Sequence, residues 1–315
     1  MRIFYALAGD FTAGGQLNTL DHVLALRAWG QDARLLILPP PGRREAFVPT
    51  FPPGIDAPPW QLGAEGVGAT DVVVVGEMFG AGALALQGVP ARKVLHNQNP
   101  YYSFEAFRDI AAMKSWGCER ILCASGFVAN FLRQAGWDGP VSVVRPFVDP
   151  VFEDDVAVPR QAAVAFMPRK RRRDAKLIHG LALSRRPALA PIPWVALDGV
   201  ARAECARVFQ RAAVFLSLSY QEGLGLPPLE AMACGALVVG FHGGGGQEYA
   251  TPANGDWFGD HDVTAVADAL IARIEAFQAG ERFEARIAAG QATAVTFSRP
   301  AFDSQLRAAW AEILA

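Results

Sequence analysis

A chain of 315 residues, 51% of them hydrophobic and 19% charged, has room for two ordinary domains, each large enough for a core of its own. Its formal net charge of −2 gives no general attraction to nucleic acid, so any basic site has to be local. The four cysteines show neither C-x-x-C pairing nor zinc-ligand spacing, no apolar run reaches the ~18 residues of a membrane span, and the first ten residues turn polar too soon for a secretory leader. Core thiols in a reducing, cytoplasmic compartment are therefore expected, with room left for a peripheral membrane contact.

From the amino end, short apolar runs predict strands over Ile3–Ala8, Arg34–Leu38, Asp71–Val75, Lys93–Leu95, Arg120–Cys123 and Val141–Val144. Helical spacing falls between most of them. Gln16–Trp29 places Leu17, Leu20, Leu24 and Ala28 on one stripe and stops at Gly30, and Phe104–Trp116 and Gly126–Gln134 read similarly. The proline-rich stretch Pro39–Pro59 reads as a surface loop over this half. Strands alternating with helices imply a parallel sheet covered on both faces, a Rossmann-like domain over residues 1–148.

The pattern breaks at R-P-F-V-D-P-V-F, Arg145 to Phe152, where two prolines and an acidic stretch mark a domain boundary. It then restarts over 149–299, with strands predicted at Ala162–Met167, Trp194–Leu197, Val214–Ser219 and Ala236–Phe241. Ala301–Ala315 has the spacing of an amphipathic helix, with Phe302, Leu306, Trp310 and Ile313 on one side. The fold class is α/β.

The most informative segment runs from Ser217 to Gly235, S-L-S-Y-Q-E-G-L-G-L-P-P-L-E-A-M-A-C-G. A strand leads into a Gly-Leu-Gly turn, Pro227 and Pro228 open a helix, and Gly235 is placed to cap it. Free backbone N–H groups and the positive end of a helix dipole make such a place attractive to an anion. Glu222 and Glu230 stand there as well. Two carboxylates would repel an anion, so they are better suited to accept hydrogen bonds from the hydroxyls of a sugar or a ribose. A helix-dipole role alone accounts for Glu230 but leaves Glu222 unexplained.

E-G-L-G-L-P-P-L-E-A-M-A-C-G closely resembles the donor-site signature of the group 1 retaining glycosyltransferases, which include sucrose and glycogen synthases and many bacterial polysaccharide enzymes. The resemblance implies a GT-B fold, two facing Rossmann-like domains with a cleft between them, and a terminal helix, 300–315, that crosses back onto the first. It implies that Glu222 contacts the transferred sugar, that Glu230 contacts the donor ribose, and that the amides of Gly223, Leu224 and Gly225 hold sugar and phosphate oxygens. The implied reaction moves a sugar from a nucleoside diphosphate sugar to a hydroxyl acceptor, a saccharide or a lipid-linked saccharide, without metal or resident cofactor. A glycoside phosphorylase, a nucleotide-sugar epimerase and a non-catalytic nucleotide-sugar binder are the rival readings.

Five consecutive bases, Arg169 to Arg173, follow a predicted strand, at the end of an α/β sheet where ligands bind. Arginine can hold phosphate oxygens in a bidentate fork, whereas a solvated loop or a nucleic-acid patch are the alternatives for such a run. By the resemblance, Arg169 takes the diphosphate-binding arginine role; no lysine stands at the family's usual spacing, which leaves Arg172 or Arg173 for the second cation. Gly14 and Gly15 open the first helix, in a loop that the family brings close to donor phosphate or acceptor. His96, Gln98 and Asn99 belong to a polar cluster at a strand end suited to hydroxyl recognition, and a turn before Pro100 accounts for Asn99 equally well. In many relatives a histidine near this strand faces the donor sugar, a role for His96 or, in its place, Gln98 or Asn99. The four glycines of F-H-G-G-G-G-Q-E, from Phe241 to Glu248, suit a donor-side loop or simple flexibility. No G-x-G-x-x-G and no G-x-x-x-x-G-K-[ST] occurs, which argues against a nicotinamide dehydrogenase and a P-loop enzyme.

Overall fold

The computed structural model describes residues 1–7, 14–38, 49–51, 55–155 and 157–315. Ala13 and most of the proline-rich stretch lie outside these. The chain divides into two compact units, the first from Met1–Arg145 with Asp303–Ala315 and the second from Pro146–Phe302.

The first unit is built on a seven-stranded parallel sheet: β1 (Ile3–Leu7), β2 (Ala33–Ile37), β3 (Trp60–Leu62), β4 (Val72–Gly76), β5 (Arg92–Asn97), β6 (Cys118–Cys123) and β7 (Val141–Val143), in the order β3-β2-β1-β4-β5-β6-β7. β1 lies between β2 and β4, with Ile3 opposite Ala33 on one side and Val72 on the other. A strand covered on both faces has no polar side to show, which is why Val72 to Val75 are all buried. Helices α1 (Gly14–Ala28), α2 (Gly80–Ala85), α3 (Ile110–Ser115) and α4 (Gly126–Gln134) connect the strands. Asp109 caps α3 and Ser125 caps α4, each accepting the backbone N–H three residues on, at 2.8 and 3.1 Å.

Two expectations for this unit are corrected. α3 begins at its Asp109 cap, so the segment from Phe104 to Arg108 precedes the helix. The buried face of α1 carries Thr19, Leu20, His22, Val23 and Leu26; of the predicted stripe Leu20 is buried, Leu17 and Leu24 are only half-buried and Ala28 is exposed. The stripe holds only at Leu20 because the inward face also takes in the polar Asn18, Thr19 and His22. His22 accepts or donates at Nδ1 with the Tyr5 hydroxyl, 3.0 Å away, and its ring lies 4.5 Å from that of His96.

The second unit has a five-stranded parallel sheet: β8 (Gln161–Phe166), β9 (Trp194–Ala196), β10 (Ala212–Glu222), β11 (Leu237–Gly244) and β12 (Gly255–Phe258), in the order β12-β11-β10-β8-β9. Helices α5 (Arg172–Arg185), α6 (Arg202–Arg211), α7 (Leu226–Ala233), α8 (Val263–Gln278) and α9 (Glu284–Val295) cover it. Side chains of central strand β10 alternate between two cores. Val214, Leu216 and Leu218 pack with Ile178 and Leu270, and Phe215 packs on the opposite face with Phe209 and Leu229.

The terminal helix α10 (Arg299–Leu314) starts in the second unit, where Phe302 packs on Phe147 with ring centroids 5.3 Å apart. It ends in the first, where Leu306, Trp310 and Ile313 are buried, each contributing roughly 1.5–3 kcal/mol by burial. The Trp310 indole donates to the Tyr5 hydroxyl at 3.3 Å. All four cysteines are free thiols, and no helix among the described residues is long and apolar enough to cross a membrane.

Candidate functional site

The geometry at the carboxyl end of the second sheet follows from one irregularity. β10 pairs in register with β11 as far as Ser219, slips, and pairs again at Glu222 opposite Gly244. Within that slip Gln221 takes φ +48°, a left-handed conformation uncommon for a residue with a Cβ. The bulge presents Glu222 at the strand end, directly before the turn of Gly223, Leu224 and Gly225, all buried, and before the first residue of α7.

Neighbouring strand β8 runs parallel to β10, so the turn after it emerges at the same edge. That turn carries the basic run, and the structure separates its members. Lys170 Nζ lies 2.8 Å from the Glu222 carboxylate and donates to the carbonyls of Tyr220 (3.0 Å) and Gln221 (3.3 Å). Arg171 is buried and structural. Its guanidinium lies between the rings of Tyr220 and Phe241, at 4.5 and 4.2 Å, and bonds to the Ser219 carbonyl, Asp174 and Asp260. Arg169 is exposed in the turn; Arg172 pairs with Asp198 and Arg173 is exposed on the first turn of α5. The cation that reaches Glu222 is thus Lys170, which the sequence reading passed over because it lies next to Arg169 rather than at the expected spacing.

Glu230 lies within α7 and is 7% exposed. Burial pushes its carboxyl up to about 7, against a lowering pull from Arg202 and with a further push from Asp149. Arg202 is itself engaged by Asp149 at 2.8 Å. No hydrogen-bond donor among the described residues reaches the Glu230 carboxyl. The glycine run is used for close packing: a Cβ on Gly245 would lie 2.4 Å from the carbonyl carbon of Gly223 and 2.6 Å from the Leu224 nitrogen, so the 3-10 turn at 245–248 sits directly on the Gly223–Gly225 loop.

In the first unit, the structure joins several of the sequence-selected residues through Asn18. Its carboxamide donates to Gln98 Oε1 at 3.0 Å and lies 3.5 Å from His96 Nε2, while Gln98 Nε2 donates to the Gly15 carbonyl at 3.0 Å. Gly14 and Gly15 are exposed at the start of α1. His96 is 1% exposed and burial drives its pKa down to about 3, so it is a neutral interior imidazole. Asn99 accepts from the Tyr101 N–H at 3.1 Å and caps the turn at Pro100. Sequence reasoning missed Glu77, 4% exposed just after β4. Burial pushes its carboxyl up to about 7, although its own backbone N–H and those of Gln98 and Asn99 hydrogen-bond to it. An acid one glycine beyond four valines was the available signal.

Among the described residues no group of three His, Cys, Asp or Glu side chains is placed to hold a metal ion. Residues 197–287, which span β10, the loop and α7, match the family described as glycosyl transferases group 1. An alpha-1,6-glucosyltransferase of Actinobacillus pleuropneumoniae serotype 7 (strain AP76) is 28% identical over 287 residues, 89% of this chain and 86% of the relative. Among solved structures, Anabaena Alr3699/HepE in complex with UDP and glucose superposes with a TM-score of 0.71 at 15% identity, covering 99% of this chain and all of that one. Sucrose-phosphate synthase from Thermosynechococcus elongatus does so with a TM-score of 0.73 at 16% identity, covering 100% and 99%. Two parallel α/β units that superpose along the whole chain on GT-B neighbours give the chain the GT-B fold, and the segment that carries β10, the loop and α7 is the part that matches the group 1 glycosyltransferases.

Proposed function

We propose that this protein is a retaining hexosyltransferase that takes its sugar from a nucleoside diphosphate sugar, with UDP-glucose the first donor to test, and delivers it to a saccharide or lipid-linked saccharide hydroxyl in glycoconjugate or polysaccharide biosynthesis. The observation that carries the reading is the Lys170–Glu222 pair, 2.8 Å apart, beside a loop of buried backbone at the end of the central strand. A carboxylate and a cation side by side suit a sugar whose anomeric carbon becomes positive while its diphosphate leaves with negative charge. Glu222 would orient the sugar and face the positive charge. Lys170 and Arg169 would neutralise the leaving diphosphate without a metal, and the amides of Gly223 to Gly225 would bind its oxygens.

Glu230, with no internal hydrogen-bond donor, is assigned to the ribose hydroxyls. Gly14, Gly15 and Gln98, at the exposed end of the first sheet, are assigned to the acceptor or sugar side; Asn18, which lies beside His96, holds Gln98. The same reading places the protein in the cytoplasm, with acceptor delivery at a membrane surface if the acceptor is lipid-linked. Two lines of support, the 28% identical glucosyltransferase and the UDP-glucose complex of Alr3699/HepE, favour glucose and uridine.

The test is transfer from UDP-glucose, with GDP- and ADP-sugars in parallel, to a panel of saccharide acceptors, the anomeric configuration of the product being read by NMR. An α-linked product from an α-linked donor, lost at least 100-fold in Glu222→Ala, is expected. Inverted product, phosphate-dependent cleavage, or no turnover with any nucleotide sugar despite tight binding would each overturn the reading.

A further inference from the structure

A helix normally offers four unpaired N–H groups at its amino end, but α7 opens Gly225-Leu226-Pro227-Pro228, and its two prolines have none. Anion binding there falls to the amides of the preceding loop and of Leu226, so it depends on how that loop's peptide planes are turned. No side chain of Gly225 can set them, and at φ +86° the residue lies in a region open mainly to glycine.

Tyr249 supplies the missing constraint. Its buried hydroxyl donates to the Gly225 carbonyl at 2.6 Å. The ring is held edge-on by Trp257 and Phe297, with centroids 5.9 and 5.8 Å away. Its backbone carbonyl accepts from Asn254 Nδ2 at 2.7 Å, and Asn254 Oδ1 accepts from the Trp257 indole at 2.9 Å. The hydroxyl therefore comes from a rigid support. In a trans peptide the C=O and N–H point to opposite sides. Holding the Gly225 carbonyl towards Tyr249 turns the Leu226 N–H away from it.

We infer that Tyr249 is a positioning residue for the donor: by fixing the Gly225–Leu226 peptide it aims the Leu226 amide at the diphosphate of the nucleotide sugar. The inference rests on the reading of this loop as the donor site. Its hydroxyl is suited to the task because it stays a donor; burial, and then the nearby Glu222, Glu230 and Glu248, push its ionisation well above the ordinary tyrosine range.

The experiment compares UDP with uridine, which lacks the phosphates, by calorimetry or ligand-observed NMR on the full chain. Tyr249→Phe keeps the ring and its packing, and is expected to raise the Kd for UDP about tenfold while leaving uridine unchanged. Leu226→Pro removes the N–H directly at a helix position that tolerates proline. It should give the same selective loss, and Tyr249→Phe should then cost nothing more in that background. Unchanged UDP affinity in either single variant, equal losses for UDP and uridine, or additive losses in the double variant would overturn the inference while the donor-site reading stands. Failure of the wild-type protein to bind UDP, ADP or GDP would instead remove that reading, and the inference with it.

Discussion

Replacing Glu230 by glutamine should make the second unit more stable and less able to bind nucleotide, with a gain that depends on pH. The carboxyl is raised from 4.5 to about 7 by burial, so between those values the native state keeps a proton that the unfolded chain has released. Stability therefore falls as pH rises through that window, and above about 7 the full cost of a buried charge is present. That rise corresponds to about 3 kcal/mol at pH 8 and less than about 1 kcal/mol at pH 5. Glutamine has nearly the same shape and no charge. For a domain of this size the variant should melt roughly 6–12 °C higher at pH 8 and within a few degrees of wild type at pH 5, read by scanning calorimetry at both pH values. The same change replaces a charged acceptor with a neutral one, and UDP should bind about tenfold more weakly. An increase equal at the two pH values, or a variant less stable at pH 8, would refute the buried-charge account. Stabilisation with undiminished UDP affinity would leave the charge account intact and remove Glu230 from the ribose.

Lys170→Met takes the cation from beside Glu222 at a half-exposed position, so thermal stability should change little, while kcat/KM for UDP-glucose falls at least tenfold in a steady-state assay. Gly245→Ala puts a methyl group 2.4 Å from the Gly223 backbone; we expect about 1–3 kcal/mol of destabilisation in urea titration and a tenfold or greater loss of UDP affinity as the loop is pushed. His96 is held neutral down to about 3, so below 6.5 the unfolded chain binds a proton that the native state refuses, and stability is lost as pH falls. Between pH 6.5 and 5 that amounts to about 2 kcal/mol; His96→Met should lack this loss, measured as the difference from wild type because Glu77 acts in the opposite sense over much of the window.

The strands most legible in the amino-acid sequence are the fully buried ones, although the edge strands Val141–Val143 and Trp194–Ala196 were also predicted. Val72–Gly76 and Ala212–Glu222 lie inside their sheets and read as apolar runs. The edge strands Trp60–Leu62 and Gly255–Phe258 were not predicted, and the reason is physical. Each has a neighbour on one side only, Trp60 and Leu62 are exposed, and Gly255 begins the second, so neither shows an uninterrupted hydrophobic signal. Glu222 and Glu230 stand out in the sequence because residue type and spacing carry chemistry. The division of labour within Arg169 to Arg173 was not, because five like charges in a row look alike until the turn is folded. Arg171 is then drawn between two aromatic rings and three oxygen-bearing partners, Arg172 pairs with Asp198, and Lys170 alone reaches Glu222.

Glu77 and Glu230 are both buried and both raised to about 7, and they differ in their surroundings. Glu77 receives N–H groups from its own backbone, Gln98 and Asn99. Its hydrogen-bonding capacity is largely met within the chain, and it anchors the loop that carries Gln98. Glu230 receives none, and its nearest cation is occupied by Asp149. Leaving a largely buried acid without a hydrogen-bond partner in the chain costs stability, and part of that cost is recovered when a donor arrives. Ribose hydroxyls would supply such donors, lower the carboxyl's pKa and release a proton as the nucleotide binds. UDP binding by the wild-type protein near pH 6.5 should therefore show a heat that varies with the ionisation enthalpy of the buffer, and Glu230→Gln should not. Glu77→Gln, altering an acid already satisfied from within, should leave that proton release in place. If it instead abolished the release, the assignment of the two acids would have to be exchanged.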